Sequence, residues 1–139
     1  MVRTASIFSQ ILRLVDRVHF TRLARQHQSN RYTKRFTAWD HFVAMVFCQL
    51  AQAKSLRETC DGLGSAVGKA VHLGVRNLAK KSTLAYANEH RSAALFRTLF
   101  FHLSTQLHRS GMGGRRKFRF RHKLLSLDAT VITLCLNLF

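Results

Sequence analysis

Proline is absent from this sequence and acidic residues are scarce, with 6 Asp and Glu against 23 Lys and Arg in 139 residues. The three cysteines form no Cys-x-x-Cys pair and the amino terminus lacks a signal-peptide pattern, which excludes a disulfide-rich secreted domain. No uninterrupted apolar run reaches the roughly 20 residues of a membrane span, so no membrane partner is expected. Zinc-ligand spacings, nucleotide-binding loops and serine-hydrolase motifs are also missing. These absences predict a protein of the reducing cytoplasm.

The excess of positive charge is the strongest feature that is present. The formal net charge is +17 and the sequence pI is about 11.6. A field of this strength attracts polyanions, above all nucleic acid, and predicts a nucleoid-associated protein. The hydrophobic fraction of 47% is sufficient for a buried core.

Apolar residues recur at helical spacing over most of the first 109 residues. Thr37 and Asp40 form a capping-box pattern, and the run after them is apolar nearly all round, which predicts a central helix. Further helix starts are expected at Ser55 and Ser82, and a long amphipathic helix from Ala93 to Leu107. The fold class is therefore predicted to be mainly α, with a multi-helix amino-terminal bundle over residues 1–109.

The pattern changes after the helical part. Three glycines within SGMGG predict a hinge at residues 110–114. Beyond it Phe118 and Phe120 alternate with basic residues, and a nearly continuous apolar run follows Leu124, as in a strand that leads into a buried strand. Residues 115–139 are thus predicted to be a separate unit.

Two basic segments and one helix are candidates for nucleic-acid contact. The first segment contains Arg115, Arg116, Lys117, Arg119 and Arg121, and the second, before Thr37, contains Arg31, Lys34 and Arg35. The alternative for the first segment is a basic linker that only keeps the protein soluble. A helix-turn-helix unit would add Ser82, Thr83, Tyr86, Asn88 and Arg91. Its alternative is a pair of ordinary bundle helices that pack through Leu84 and Ala87.

Asp128 is a single carboxylate in the most apolar segment of the chain. Burial of an unpaired carboxylate costs on the order of several kcal/mol or more because the ion loses its hydration. Another interaction must therefore compensate for that loss. One interpretation is an aspartate at a strand end that bonds its own backbone. The other is a metal ligand on the first strand of a sheet.

Three blocks of the sequence resemble a known family. FTAWDHFVAMVFCQLAQAKSLRETCDGL, KSTLAYANEHR and KFRFRHKLLSLDATVITLCLNLF together look like the amino-terminal part of bacterial insertion-sequence transposases of the DDE superfamily, insertion-sequence-four type. The resemblance implies a helical region before a ribonuclease-H-like α/β catalytic domain. It also implies that Asp128 is the first of three acidic ligands of Mg²⁺, and that the DNA partner is a transposon end.

The second aspartate and the glutamate of the family have no counterpart up to Phe139. A lone Asp128 does not hold two Mg²⁺ ions, so this chain by itself is expected to bind no metal and to catalyse no strand transfer. The resulting prediction is a truncated transposase that binds DNA, with full-length transposase or a second copy as further partners. The alternative is a free-standing small basic DNA- or RNA-binding protein, or a regulator of transposition.

Overall fold

In a computed structural model of the chain, residues 7–31, 33–65, 75 and 79–110 are described, and they form six α-helices and no strand. The helices are α1 (Ile7–Arg13), α2 (Arg17–Gln26), α3 (Ala38–Leu50), α4 (Leu56–Ser65), α5 (Lys81–His90) and α6 (Ala94–Arg109). The mainly helical fold that the sequence predicts is confirmed for this part of the chain. The strands expected in residues 115–139, and the hinge apart from Ser110, lie outside the described residues.

Polar side chains fix where α3 and α4 begin. The Thr37 hydroxyl accepts a hydrogen bond from the Asp40 N–H at 3.2 Å, and the Asp40 carboxylate accepts one from the Thr37 N–H at 2.9 Å, so the predicted capping box is present. At α4 the Ser55 hydroxyl accepts from the Glu58 N–H, while the Glu58 carboxylate accepts from Lys54 N–H. The Glu58 carboxylate therefore bonds the backbone of Lys54, which is one residue before the predicted cap residue Ser55.

The start of α5 differs slightly from the prediction. The helix begins at Lys81, and its N-cap residue Lys80 makes no side-chain cap bond. Ser82 consequently lies inside the first turn, where it is exposed. The position of this helix is set by the burial of Leu84 and Ala87 rather than by a capping residue.

Helix α3 lies between two hydrophobic clusters, as expected of a helix that is apolar nearly all round. Through Trp39 and Val43 it joins a cluster with buried residues of α1, α2 and α6, among them Leu12, Phe20, Leu23, Leu95 and Leu99. Through Ala44 it joins a second cluster with Leu56, Leu63, Leu84 and Ala87 of α4 and α5. The bundle is thus held together by α3, and its amino-terminal end positions the polar groups of the candidate site.

Two glycines in α4 provide a matched test of how closely α3 and α4 pack. A Cβ at Gly62 would lie 2.8 Å from Cε1 of Phe47, whereas a Cβ at Gly64 would meet nothing within 4 Å. Gly64→Ala should raise the free energy of unfolding by about 1 kcal/mol, because alanine favours the helix. Gly62→Ala should lower it by about 1 kcal/mol, because the Phe47 ring must move away. Urea unfolding measures both values, and stabilisation by both changes would show that the ring moves freely.

Candidate nucleic-acid interface

The connection between α2 and α3, residues 27–37, is called the basic loop here and carries Arg31, Lys34 and Arg35 on its exposed surface. It leaves α2 at Gln28, whose φ of 51° is in the left-handed region, and the Ser29 N–H donates to the Ala24 carbonyl at 2.9 Å. At its other end, the Asn30 side-chain oxygen accepts a hydrogen bond from the Ala38 N–H at 2.7 Å. Both ends of the basic loop are therefore bonded to helices.

Arg91, at the end of α5, ties the basic loop to the second half of the bundle. Its Nη1 donates to the Thr37 carbonyl at 3.0 Å and its Nη2 donates to the Phe36 carbonyl. The guanidinium also lies over the Phe36 ring, 5.2 Å from its centroid. Burial lowers the pKa of Arg91 from its ordinary value, and the charge of Asp40 opposes that shift. This side chain thus connects the carboxyl end of α5 to the end of the basic loop at Phe36 and Thr37.

The exposed side of α5, called the α5 outer face, includes Ser82, Thr83, Tyr86 and His90, and the exposed Glu89 places a carboxylate oxygen 3.7 Å from Nδ1 of His90. Tyr86 is 64% exposed and its ring stacks on that of His90, with 3.9 Å between the centroids and 15° between the planes. The opposite side of the helix packs through Leu84 and Ala87 against α4 and α3. The packing expected of an ordinary bundle helix is therefore present, and it leaves hydroxyl groups on the outer face.

Asn88 and Arg91, the other two candidates on α5, make internal hydrogen bonds. The buried His41 donates from Nε2 to the side-chain oxygen of Asn88 at 2.6 Å, and no hydrogen-bond partner faces its Nδ1. Burial lowers the pKa of His41; the Asn88 bond opposes the shift, and the Arg91 charge adds to it. A DNA contact of Asn88 and Arg91 stays a prediction, while the structure assigns both of them to the packing of α5 on α3. Sequence reasoning missed His41, although a histidine inside an apolar helical run indicates a buried imidazole.

A second pair of histidines lies between α2 and α6. The rings of His19 and His102 stack with 3.8 Å between centroids, and Nδ1 of His19 is 2.7 Å from Nη2 of Arg22. Nε2 of His19 is buried and has no hydrogen-bond partner. Burial, His102 and Arg22, in that order, lower the pKa of His19, and Asp16 opposes them. These surroundings therefore favour the neutral form of His19.

The stability of the bundle should consequently fall in mild acid. A histidine whose pKa is lower in the folded than in the unfolded chain stabilises the fold fully at pH values above its unfolded pKa, which is 6.5. That stability is lost as the pH falls through the folded pKa. The urea midpoint should be lower at pH 5 than at pH 7.5. His19→Gln should reduce this pH dependence relative to the unchanged chain. An equal pH dependence in the variant and in the unchanged chain would contradict the assignment to His19.

Three of the acidic side chains face backbone N–H groups. Asp16 accepts from Val18 N–H at 2.8 Å, and Asp40 and Glu58 cap α3 and α4. Much of the scarce negative charge therefore stabilises helix ends. Exposed cations at many other places reinforce the outward positive field, namely Arg13, Arg22, Arg25, Lys54, Arg57, Lys80, Lys81, Arg97 and Arg109.

The remaining predicted site residues have no described position. Asp128 and the basic segment with Arg115, Arg116, Lys117, Arg119 and Arg121 lie outside the described residues. Within the part of the chain that the structure describes, no three His, Cys, Asp or Glu side chains come together as a metal site would require. None of the helices in that part combines the length and the apolar character needed to cross a membrane.

A family model described as a domain of unknown function, DUF4372, matches residues 3–76, which is more than half of the chain. The chain belongs to the DUF4372 family. The DUF4372 match includes α1 to α4 and the basic loop, whereas α5 lies beyond it. Membership is consistent with the amino-terminal region of a transposase. No curated protein and no solved structure matches the chain.

Proposed function

We propose that this DUF4372 protein binds duplex DNA through the basic loop and the α5 outer face, as the amino-terminal part of an insertion-sequence-four type DDE transposase. The observation that carries the proposal is the arrangement of Arg31, Lys34 and Arg35 on a loop bonded to helices at both ends. The resemblance of three sequence blocks supplies the transposase part of the proposal, with transposon ends as the DNA.

A bonded loop is a better phosphate-binding element than a free one. Fixing a flexible residue costs about 1–2 kcal/mol of backbone entropy, which a free loop loses only on binding. In the basic loop, the bonds of Asn30 and Arg91 restrict the backbone before any ligand arrives. The phosphate backbone attracts such cations whatever the base sequence.

The α5 outer face supplies neutral donors beside these charges. The hydroxyls of Ser82 and Thr83, and the phenol of Tyr86, suit phosphate oxygens or base edges. Because Arg91 bonds the carbonyls of Phe36 and Thr37, the carboxyl end of α5 adjoins the end of the basic loop. This proximity favours a duplex, which is wide enough to contact both.

No catalytic step is proposed for this chain. In the family that it resembles, Mg²⁺ held by three carboxylates activates water or a DNA 3′ hydroxyl for attack on a phosphodiester. Among the described carboxylates, Asp16, Asp40 and Glu58 do not fit such a site, because they bond the ends of three different helices. The contribution to transposition that we propose is therefore DNA binding, with Asp128 as a ligand only in a site that further carboxylates complete.

The proposal is tested by fluorescence anisotropy of a labelled duplex at several salt concentrations. The logarithm of the binding constant should fall linearly with the logarithm of the salt concentration, by about 0.9 for each phosphate contacted. Three contacts from the basic loop alone would give a slope of about −2.7. Absence of binding at low salt, or a binding constant that salt does not change, would contradict the proposal.

A further inference from the structure

One side of α6 exposes large apolar side chains. Phe100, Phe101 and Leu107 are 65%, 57% and 51% exposed, and the two phenylalanine rings are in edge-to-face contact with 5.6 Å between centroids. With Arg97 and Ser104 they form one stripe, called the α6 outer face, in which Ser104 has the central position. The opposite side of the helix buries Leu95 and Leu99 in the core. Several large apolar groups together on a helix surface indicate a docking site.

The charge on this stripe restricts what covers it. Helix α6 contains no acidic residue, and the guanidinium of Arg97 lies 6.0 Å from the centroid of the Phe101 ring. Arg109 adds a cation in the last turn. Pairing of the α6 outer faces of two copies would bring these cations together in chains that each carry +17. Like charges oppose that arrangement, so an apolar partner that is neutral or acidic fits better.

The same chain contains such a partner. The segment Leu124–Phe139 reads LLSLDATVITLCLNLF, which is mostly apolar, and its one charged side chain is the acidic Asp128. About 14 residues separate α6 from Leu124, and an extended chain of that length reaches roughly 46 Å. Helix α6, with 16 residues, is about 24 Å long. The linker therefore lets the segment reach any part of the α6 outer face.

We propose that the α6 outer face is the docking surface for Leu124–Phe139 of the same chain. Apolar contact with Phe100, Phe101 and Leu107 removes exposed hydrophobic area from water, and Asp128 brings a negative charge to a face that carries only cations. The docking joins the segment that begins the second predicted unit to the helical bundle. It does not depend on DNA binding, so either proposal can fail without the other.

Cys135 allows a direct test by thiol cross-linking in the full chain. In a background with Cys48→Ala and Cys60→Ala, a short bismaleimide is added to the Ser104→Cys variant and to the Gln106→Cys variant. Gln106 lies in the same turn on the other side of α6 and is exposed, so both cysteines have nearly the same sequence separation from Cys135. The cross-link from position 104 should form about tenfold faster, because docking raises the local concentration of Cys135 there. Peptide mass spectrometry identifies the product.

Adding Phe100→Ser and Phe101→Ser to the Ser104→Cys chain should reduce its rate of cross-linking to Cys135 to the rate of the Gln106→Cys chain. Both phenylalanines are exposed, so the core is retained, and helix content by circular dichroism verifies this. Equal rates from positions 104 and 106 would overturn the proposal. A cross-link between two chains, formed at a rate that rises with protein concentration, would overturn the proposal and would show that a second copy of the chain covers the α6 outer face.

Discussion

Replacement of Arg31, Lys34 and Arg35 by alanine is expected to weaken duplex binding roughly a hundredfold at about 0.1 M salt. Each cation that contacts a phosphate releases counterions when it binds, so loss of three contacts should flatten the log–log salt dependence by about 2.7 units. The three residues are exposed on the basic loop, and the loop-end bonds of Asn30 and Arg91 remain in the variant. Fluorescence anisotropy with the same labelled duplex measures both quantities.

The matched control removes the same charge elsewhere. Lys54, Arg57 and Arg109 are exposed, and the first two adjoin the carboxyl end of α3, about 20 Å along the helix from the basic loop. Their replacement by alanine also lowers the net charge by three, and we expect a much smaller loss of affinity because only the long-range field is reduced. Equal losses in the two variants would show that total charge, and not the basic loop, determines binding.

Arg91→Ala is expected to lower the free energy of unfolding by about 2 kcal/mol, within the range for loss of hydrogen bonds from a charged group. The guanidinium bonds the Phe36 and Thr37 carbonyls and packs over the Phe36 ring, so its removal affects two bonds and one stacking contact. Urea unfolding followed by circular dichroism measures the change.

Arg97 is the control for this prediction, because it is an exposed arginine on α6. Arg97→Ala should change stability by no more than about 0.5 kcal/mol, as is usual at the surface. Arg91→Met keeps the length of the side chain without its charge and should lose nearly as much stability as alanine does. A stable Arg91→Met variant would mean that packing of the aliphatic stem, and not the hydrogen bonds, holds α5 to the loop.

The positions of α3, α4 and α6 could be predicted from the sequence. The capping box at Thr37, the start of α4 after Ser55, the central position of α3 and the long amphipathic α6 all agree with the structure. Such features depend on residues within about four positions of one another, because caps and the 3.6-residue period act inside one or two turns. The cap of α5 is predicted at Ser82 but lies two residues earlier, at Lys80, since tertiary packing positions a helix that has no capping side chain.

Which charged and polar residues face outward was decided only by the tertiary structure. Asn88 and Arg91 resemble surface recognition residues in the sequence, yet they bond His41 and the Phe36 and Thr37 carbonyls, about 50 positions earlier. The His19–His102 stack joins residues of α2 and α6 in the same way. Periodicity shows which side of a helix is apolar, but it does not show which helix covers that side. The sequence by itself therefore determined most of the helices and the excess of positive charge, and packing around α3 decided that Asn88 and Arg91 make internal hydrogen bonds.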